Sequence, residues 1–215
     1  MKTFQLEGVP RTNLGKKEAK AVRKDSMVPA VLNGGRSVDF PYTGKLQDGE
    51  KCVPVGNGKG IIVTDFKIST DSIRKLIYSS DIFAIELKIG NKEVMAIIKD
   101  MQFHPVSEKV LHMDFLEISK EKPVVMTVPV MLEGHAEGVK SGGKLVLKMR
   151  RIKVKAIYTD IPEKLIVNID SLALGKSISV GDINIDKLEL ISPKEAVVCS
   201  VLATRASVAT VAVAK

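Results

Sequence analysis

Short segments with strand character recur along this chain, and turn residues separate them. In 151–158, basic and apolar side chains alternate one by one, which is the pattern of a strand with one buried and one exposed face. Segments 83–89 and 93–103 are also strand-like, and Gly90-Asn91 between them is typical of a two-residue hairpin turn. Helical spacing is confined to two short stretches, 15–24 and 69–78. The pattern predicts a mainly β chain with short helices.

The chain changes character at 119–123, a polar Ser-Lys-Glu-Lys-Pro segment that is typical of a domain boundary. We therefore expect one domain in 1–118 and an almost wholly β domain in 119–202, with a glycine-rich loop at 134–143. Residues 203–215 are small Ala, Val, Ser and Thr with few exceptions, and they can bury little surface to offset their ordering entropy. This low-complexity tail is expected to be mobile in isolation.

The composition favours a polyanionic partner. Lys and Arg total 33 against 25 Asp and Glu, which gives a net charge of +8, and cations that neutralise phosphates gain affinity by releasing counterions. The scarcity of aromatic residues, 4%, argues against a surface made chiefly of base-stacking platforms. Cys52 and Cys199 fit no metal-ligand spacing, so we expect reduced thiols. With no targeting or membrane-spanning segment, the sequence predicts a cytoplasmic protein without membrane contact.

The stretch 15–24 concentrates positive charge on one side of a predicted helix. At about 100° per residue, its cations fall within an arc of roughly 120°, and they are Lys16, Lys17, Lys20, Arg23 and Lys24. Like charges four residues apart weaken an isolated helix, so an anionic partner would stabilise it, although a merely solvated face is the alternative. Asn13 is the predicted N-cap. The cations of segment 151–158 could face RNA, a neighbouring protein or water.

Catalytic motifs are not found. The histidines, His104, His112 and His135, belong to no metalloprotease motif, nucleophile elbow or Cys/His metal spacing. Gly134-His135-Ala136-Glu137-Gly138 has the glycine frame of an elbow but carries alanine at the nucleophile position. We therefore expect a protein that is not an enzyme and that needs no cofactor, metal or small-molecule substrate.

His112-Met113-Asp114-Phe115 is the most informative short motif. Residues two apart share one face of a strand, so His112 and Asp114 should project together while Met113 and Phe115 enter the core. Asp114 could simply orient His112. Alternatively, a carboxylate that phosphates repel could accept hydrogen bonds from base amino groups or 2′-hydroxyls of RNA. A hydrolase using the pair would instead require a pocket and a third catalytic group.

These motifs together resemble the bacterial large-subunit ribosomal protein L25 family, the general stress (Ctc) family that binds 5S ribosomal RNA. The matching residues of the first half are Arg11, Gly15-Lys16, Val22-Arg23, the Val-Pro-Ala-Val-Leu run at 28–32, His104-Pro105-Val106 and the motif at 112–115. The second half resembles the long, two-domain form through Gly134 to Gly143, Asp160-Ile161-Pro162-Glu163, 167–170 and 177–182.

The resemblance implies an N-terminal six-stranded type of β-barrel bound to the loop E region of 5S RNA, and a β-rich C-terminal domain at the ribosome surface. The implied partners are the large subunit and its neighbouring proteins; an extra-ribosomal stress-related RNA-binding protein is the alternative. Where the family usually has Tyr before Gly, this chain has Asn33. The expected RNA-binding residues are Arg11, Lys16, Lys17, Lys20, Arg23, Asn33, His112 and Asp114.

Overall fold

The computed structural model describes residues 2–35, 37–56, 58–79, 81–185 and 188–204. The chain divides into two compact units between Lys122 and Pro123, inside the polar segment 119–123. Most of the predicted tail, from 205 onwards, lies outside the described residues. Within the described ranges, no helix is long and apolar enough to cross a membrane.

The N-terminal unit is a closed barrel of six strands with two helices. Its elements are β1 (Lys2–Pro10), α1 (Lys16–Lys24), β2 (Met27–Asn33), β3 (Ser37–Asp39), β4 (Glu50–Gly56), β5 (Lys59–Ser69), α2 (Thr70–Tyr78), β6 (Phe83–Ile89), β7 (Lys92–Phe103) and β8 (Val110–Glu117). The barrel runs β1-β6-β7-β8-β2-β5, and β5 pairs back with β1. The first half of β5 extends beyond the barrel and pairs with β3 and β4.

Alternating side chains fill the barrel. Phe66 on β5 and Phe115 on β8 are both fully buried, with ring centroids 5.6 Å apart. Gly8 on β1 leaves room for them, because a Cβ atom there would lie 2.5 Å from Cδ2 of Phe66. Ile73 and Leu76 of α2 are buried in the same core, so α2 packs on the barrel through the apolar spacing that predicts it.

Gly15 is the N-cap residue of α1, so the prediction of Asn13 as the N-cap is wrong. The carbonyl oxygen of Gly15 accepts the first helical hydrogen bond, from the backbone N–H of Ala19 at 3.0 Å. Gly15 has φ of 123°, in a region that favours glycine because other residues carry a Cβ atom. Asn13 therefore lies too far before the helix for its side chain to cap the first turn.

The described part of the C-terminal unit contains two sheets, in which all strand pairs are antiparallel except the parallel pair of β12 and β9. Its elements are β9 (Val124–Glu133), α3 (Glu137–Lys140), β10 (Lys144–Leu147), β11 (Arg151–Ala156), β12 (Leu165–Asn168), β13 (Ser177–Ser179), a 3₁₀ helix (Val180–Asp182), β14 (Glu189–Leu190) and β15 (Val197–Leu202). One sheet has the order β12-β9-β11-β14 and the other β10-β15-β13. Ile152 and Val154 of β11 are fully buried while Arg151 and Lys153 are exposed, as their alternation predicts.

The sequence predicts a loop for the glycine-rich segment 134–143. The structure shows that the segment also contains the helical turn α3. Oδ1 of Asp170 accepts a hydrogen bond from the backbone N–H of His135 at 2.7 Å, and the N–H of Gly143 bonds to the carbonyl of Gly138 at 2.8 Å. These contacts from a distant aspartate and from within the turn order the segment. Both units confirm the predicted mainly β fold, including the barrel and the β-rich C-terminal part.

Candidate nucleic-acid interface

His112 and Asp114 project together from the outer face of β8. Met113 and Phe115, which alternate with them, are fully buried inside the barrel. Nδ1 of His112 lies 2.9 Å from Oδ1 of Asp114, and their side chains are 27% and 31% exposed. The alternation of the sequence therefore predicts the orientation of this motif correctly.

The contact between the two side chains determines what they can offer a ligand. Because Nδ1 faces the carboxylate, the neutral imidazole carries its proton on Nδ1 and presents Nε2 as an acceptor. Asp114 retains further acceptor positions on its carboxylate. Among the residues that the structure describes, no three His, Cys, Asp or Glu side chains come together as a metal site. The pair is suited to accepting hydrogen bonds, and it lacks the arrangement of a metal centre.

Arg23 joins α1 to β8 next to this pair. Its Nε donates a hydrogen bond to the carbonyl oxygen of Leu111 at 3.0 Å, across 88 positions of sequence. Val22, which points away from the lysines of α1, is the buried residue of this helix. Leu111 immediately precedes His112 in β8, so this hydrogen bond anchors the cationic helix next to the strand that carries the His-Asp pair.

The lysines of α1 extend this surface. Lys16, Lys17 and Lys20 are all exposed, and none of them pairs with an acidic side chain within the described ranges. No acidic side chain in the described part of the chain therefore forms an ion pair with these three lysines. An anion that lies along α1 would relieve the repulsion between them and would gain affinity from each contact.

Asn33 lies on the outer face of β2, which is parallel to β8. Val31 is the register partner of Asp114, and Asn33 is the partner of Leu116. Ala30 and Leu32 face the core, so Asn33 shares the outer face with Val31. It is half-buried at the end of β2, close to the turn that follows. The structure thus places Asn33 on the same side of the barrel as Asp114.

Gln102 is a neighbour of the site that the sequence interpretation missed. It is exposed on β7 and is the register partner of His112, while Asp100 is the partner of Asp114. The side-chain amide of Gln102 can both donate and accept hydrogen bonds. A regular pairing of segments 93–103 and 110–118 would suggest which residues face His112. The bulges between the two strands shift the register, so the sequence alone does not identify Gln102.

Arg11 is not brought into this group. It follows β1, which is separated from β8 by two strands in either direction around the barrel. Its backbone N–H bonds to the carbonyl of Asp65 at 2.9 Å, and its Nη2 lies 3.4 Å from the carbonyl of Asn13. Arg11 therefore orders the loop that leads into α1. It is connected to the cationic helix through this loop.

A shallow groove on β1, β6 and β7 is lined by three glutamates and one lysine. The outer faces of β1, β6 and β7 carry Glu7, Glu86 and Glu93 along one shallow groove. Lys88 in this groove is bound by Glu93 at 2.9 Å, and that hydrogen bond raises the pKa of Lys88 above its usual value. With Glu93 paired to Lys88, this groove keeps a small excess of negative charge and offers phosphates no unpaired cation among its described lining residues, in contrast to the lysines of α1.

Comparison with known protein families assigns both halves of the chain. Residues 45–115 match the model of the ribosomal L25p family, and residues 123–205 match the model of the C-terminal domain of ribosomal protein TL5. Both matched models describe ribosomal proteins, so the class that they define for this chain is that of ribosomal proteins.

Curated relatives match over nearly the full chain. A protein of Porphyromonas gingivalis is 49% identical over 208 residues, and one of Parabacteroides distasonis is 50% identical over 212 residues, each match covering 96% of both chains. A protein of Bacteroides thetaiotaomicron is 45% identical over 212 residues, covering 96% of this chain and 95% of its own. All three are named large ribosomal subunit protein bL25. The chain belongs to the ribosomal L25p family, which confirms the resemblance, and it is a structural protein rather than an enzyme.

Proposed function

We propose that this chain is a structural constituent of the large ribosomal subunit and that it binds 5S ribosomal RNA through the α1–β8 surface. This surface is defined by Lys16, Lys17, Lys20, Arg23, Asn33, His112 and Asp114. The observation that carries the proposal is the hydrogen bond from Arg23 to Leu111, which joins the cationic helix to the strand of the His-Asp pair. The relatives' names, which assign them to the large subunit, support the ribosomal part.

The two parts of the surface have different tasks. The cations of α1 contact phosphates, which positions the protein without reading sequence. His112 and Asp114 accept hydrogen bonds from base amino groups or 2′-hydroxyls, and this contact specifies the site. Asn33 takes the place of the aromatic residue that is usual in the family and contributes a hydrogen bond instead. The family resemblance directs this surface to the loop E region of 5S RNA, and Arg11 supports it from the preceding loop.

The proposal includes the organisation and location of the protein. The RNA-binding domain comprises 1–118, the second β-rich domain 119–202 and the tail 203–215. The protein acts in the cytoplasm as part of the ribosome, next to other proteins of the large subunit. Its role is to order 5S RNA, so it requires binding and rigidity but no chemical step.

A titration of the full chain against labelled 5S RNA tests the RNA partner. At a fixed salt concentration, we expect binding that transfer RNA, added at an equal concentration of nucleotides, does not displace. Equal affinity for the two RNAs would reduce the interaction to non-specific charge attraction. The ribosomal role is tested separately by sedimentation of cell extracts: we expect the chain with large subunits, and its persistent absence from them would favour the extra-ribosomal, stress-related alternative.

A further inference from the structure

A groove of about 440 Å³ opens directly beside the α1–β8 surface. It lies between the end of α1, the helix α2 and the segment 104–109 that connects β7 to β8. Arg23 belongs both to this groove and to the α1–β8 surface. Its aromatic and charged lining residues include Arg23, Asp71, Arg74, Tyr78, Glu108 and Lys109, and His104 adds an imidazole.

Tyr78 presents an aromatic ring to the groove. It is the last residue of α2 and is 74% exposed, whereas the neighbouring Ile77 packs against the barrel core. Arg74 lies four residues earlier, on the same side of the helix as Tyr78. Exposure of an aromatic ring to water is unfavourable. The ring of Tyr78, however, provides a face on which a base can stack, beside the cation of Arg74.

His104 adds a fixed hydrogen-bond donor. Its Nδ1 accepts hydrogen bonds from the backbone N–H groups of Val106 at 3.3 Å and Ser107 at 3.1 Å. In the neutral ring the proton must therefore be on Nε2, which acts as a donor. Two further hydrogen bonds, at 2.8 and 2.9 Å, join the backbone of His104 to Lys109 and Glu108, so the segment that carries the imidazole is well ordered.

The balance of charges around the groove indicates how many phosphates its occupant can carry. The cations Arg23, Arg74 and Lys109 are accompanied by the carboxylates Asp71 and Glu108. This near balance does not suit a continuous run of phosphates, which the carboxylates would repel. One nucleotide fits better, because its phosphate needs a single guanidinium and its base can stack on a ring and accept a hydrogen bond from an imidazole.

We propose that this groove receives one unpaired nucleotide of the bound RNA, with its base stacked on Tyr78 and its phosphate held by Arg74. Arg23 connects the groove to the α1–β8 surface, since this exposed residue lines the groove and its Nε bonds to the carbonyl oxygen of Leu111 on β8. The inference rests on the proposed RNA-binding function and extends the contact beyond the cationic helix and the His-Asp pair.

Affinity measurements on the full chain test the stacking contact. Base–aromatic stacking contributes enough that Tyr78→Ala should lower the affinity for 5S RNA about 5- to 100-fold. Tyr78→Phe keeps the ring and should bind within about twofold of the unmodified chain. Tyr78 is exposed, so both variants should retain the circular dichroism and melting temperature of the parent. Equal affinity of Tyr78→Ala and the parent would overturn the inference and leave the proposed function intact.

Intrinsic fluorescence gives an independent readout, because the chain has no tryptophan and only three tyrosines. With Tyr42 and Tyr158 replaced by phenylalanine, Tyr78 is the only emitter, and stacking should quench it when 5S RNA binds. A matched variant that keeps only Tyr158, in the C-terminal unit, corrects for absorption by the RNA. Equal quenching in the two variants would overturn the inference.

Two further outcomes separate the possible partners. If Tyr78→Ala binds free 5S RNA normally but fails to join the large subunit, the groove contacts another component of the subunit and the inference of a 5S RNA nucleotide is wrong. If the parent chain itself does not bind 5S RNA, the proposed function fails, and the inference that rests on it fails as well.

Discussion

Nε of Arg23 donates a hydrogen bond of 3.0 Å to the carbonyl oxygen of Leu111, and this contact fixes the helix α1 against the strand β8. The bond uses Nε of the guanidinium, and the terminal nitrogens remain for the RNA contact that we propose. A single side chain therefore both builds the surface and contributes to its charge.

The first prediction follows from this double role. Arg23→Lys keeps the charge, but one ammonium cannot reproduce the planar set of donors that bonds Leu111 and a phosphate together. We expect the affinity for 5S RNA to fall about tenfold in a titration at fixed salt, a loss of about 1.4 kcal/mol. Arg150→Lys, the same exchange at an exposed site in the C-terminal unit, is the control. An unchanged affinity of Arg23→Lys would show that charge alone matters.

The second prediction concerns the His-Asp pair. His112→Ala and Asp114→Ala should each weaken the 5S RNA complex by about 1–3 kcal/mol, as expected for a specific contact. Both side chains are largely outside the barrel, so the melting temperature should change little. Met113→Ala, between them, should instead destabilise the fold by about 2–5 kcal/mol because it leaves a cavity in the core. RNA affinities equal to that of the parent would remove the pair from the binding site.

The third prediction distinguishes a lysine that contacts phosphate from an exposed lysine that does not. Lys20→Ala should reduce the slope of log affinity against log salt by about 1, because one phosphate contact and its released counterion are lost. Lys75→Ala is the matched control: it removes an exposed lysine from α2, which is also a short helix. If both variants have the slope of the parent, Lys20 does not contact phosphate.

The fourth prediction concerns the close approach of β1 and β5 inside the barrel. Gly8→Ala would place a Cβ atom 2.5 Å from Cδ2 of the buried Phe66, and overpacking of this kind costs about 1–3 kcal/mol. Adding Phe66→Leu should restore part of this loss, so the two changes should be non-additive in chemical denaturation followed by circular dichroism. Simple additivity would mean that the ring does not limit the side chain at position 8.

The fifth prediction concerns the two cysteines, which are both free. Burial raises the pKa of Cys199, and the weaker opposing contribution comes from a backbone hydrogen bond with Ile178. At any given pH a raised pKa leaves less reactive thiolate. In the folded protein, a thiol reagent near neutral pH should therefore modify the half-buried Cys52 well before Cys199. Cys52→Ser should leave only a slow reaction that unfolding accelerates, and a fast reaction in this variant would contradict the burial of Cys199.

Local pattern was sufficient for much of the fold. Period-two alternation identifies β6 within its observed bounds, and it orients His112 and Asp114 outward from β8, because a strand places successive side chains on opposite faces. The same reasoning orients Arg151 and Lys153 of β11. It could not identify β10 or the two-residue β14, because such short strands depend on a partner supplied by a distant part of the chain.

The sequence by itself determined the mainly β character, the cationic face of α1 and the outward direction of the His-Asp pair, since each depends on residues a few positions apart. The tertiary structure alone decided that Arg23 meets Leu111, that Gln102 lies beside His112 and that Tyr78 opens into a groove next to Arg23. Those relationships depend on strand register, bulges and the closure of β5 on β1. They arise from the packing of the whole barrel, which no local periodicity encodes.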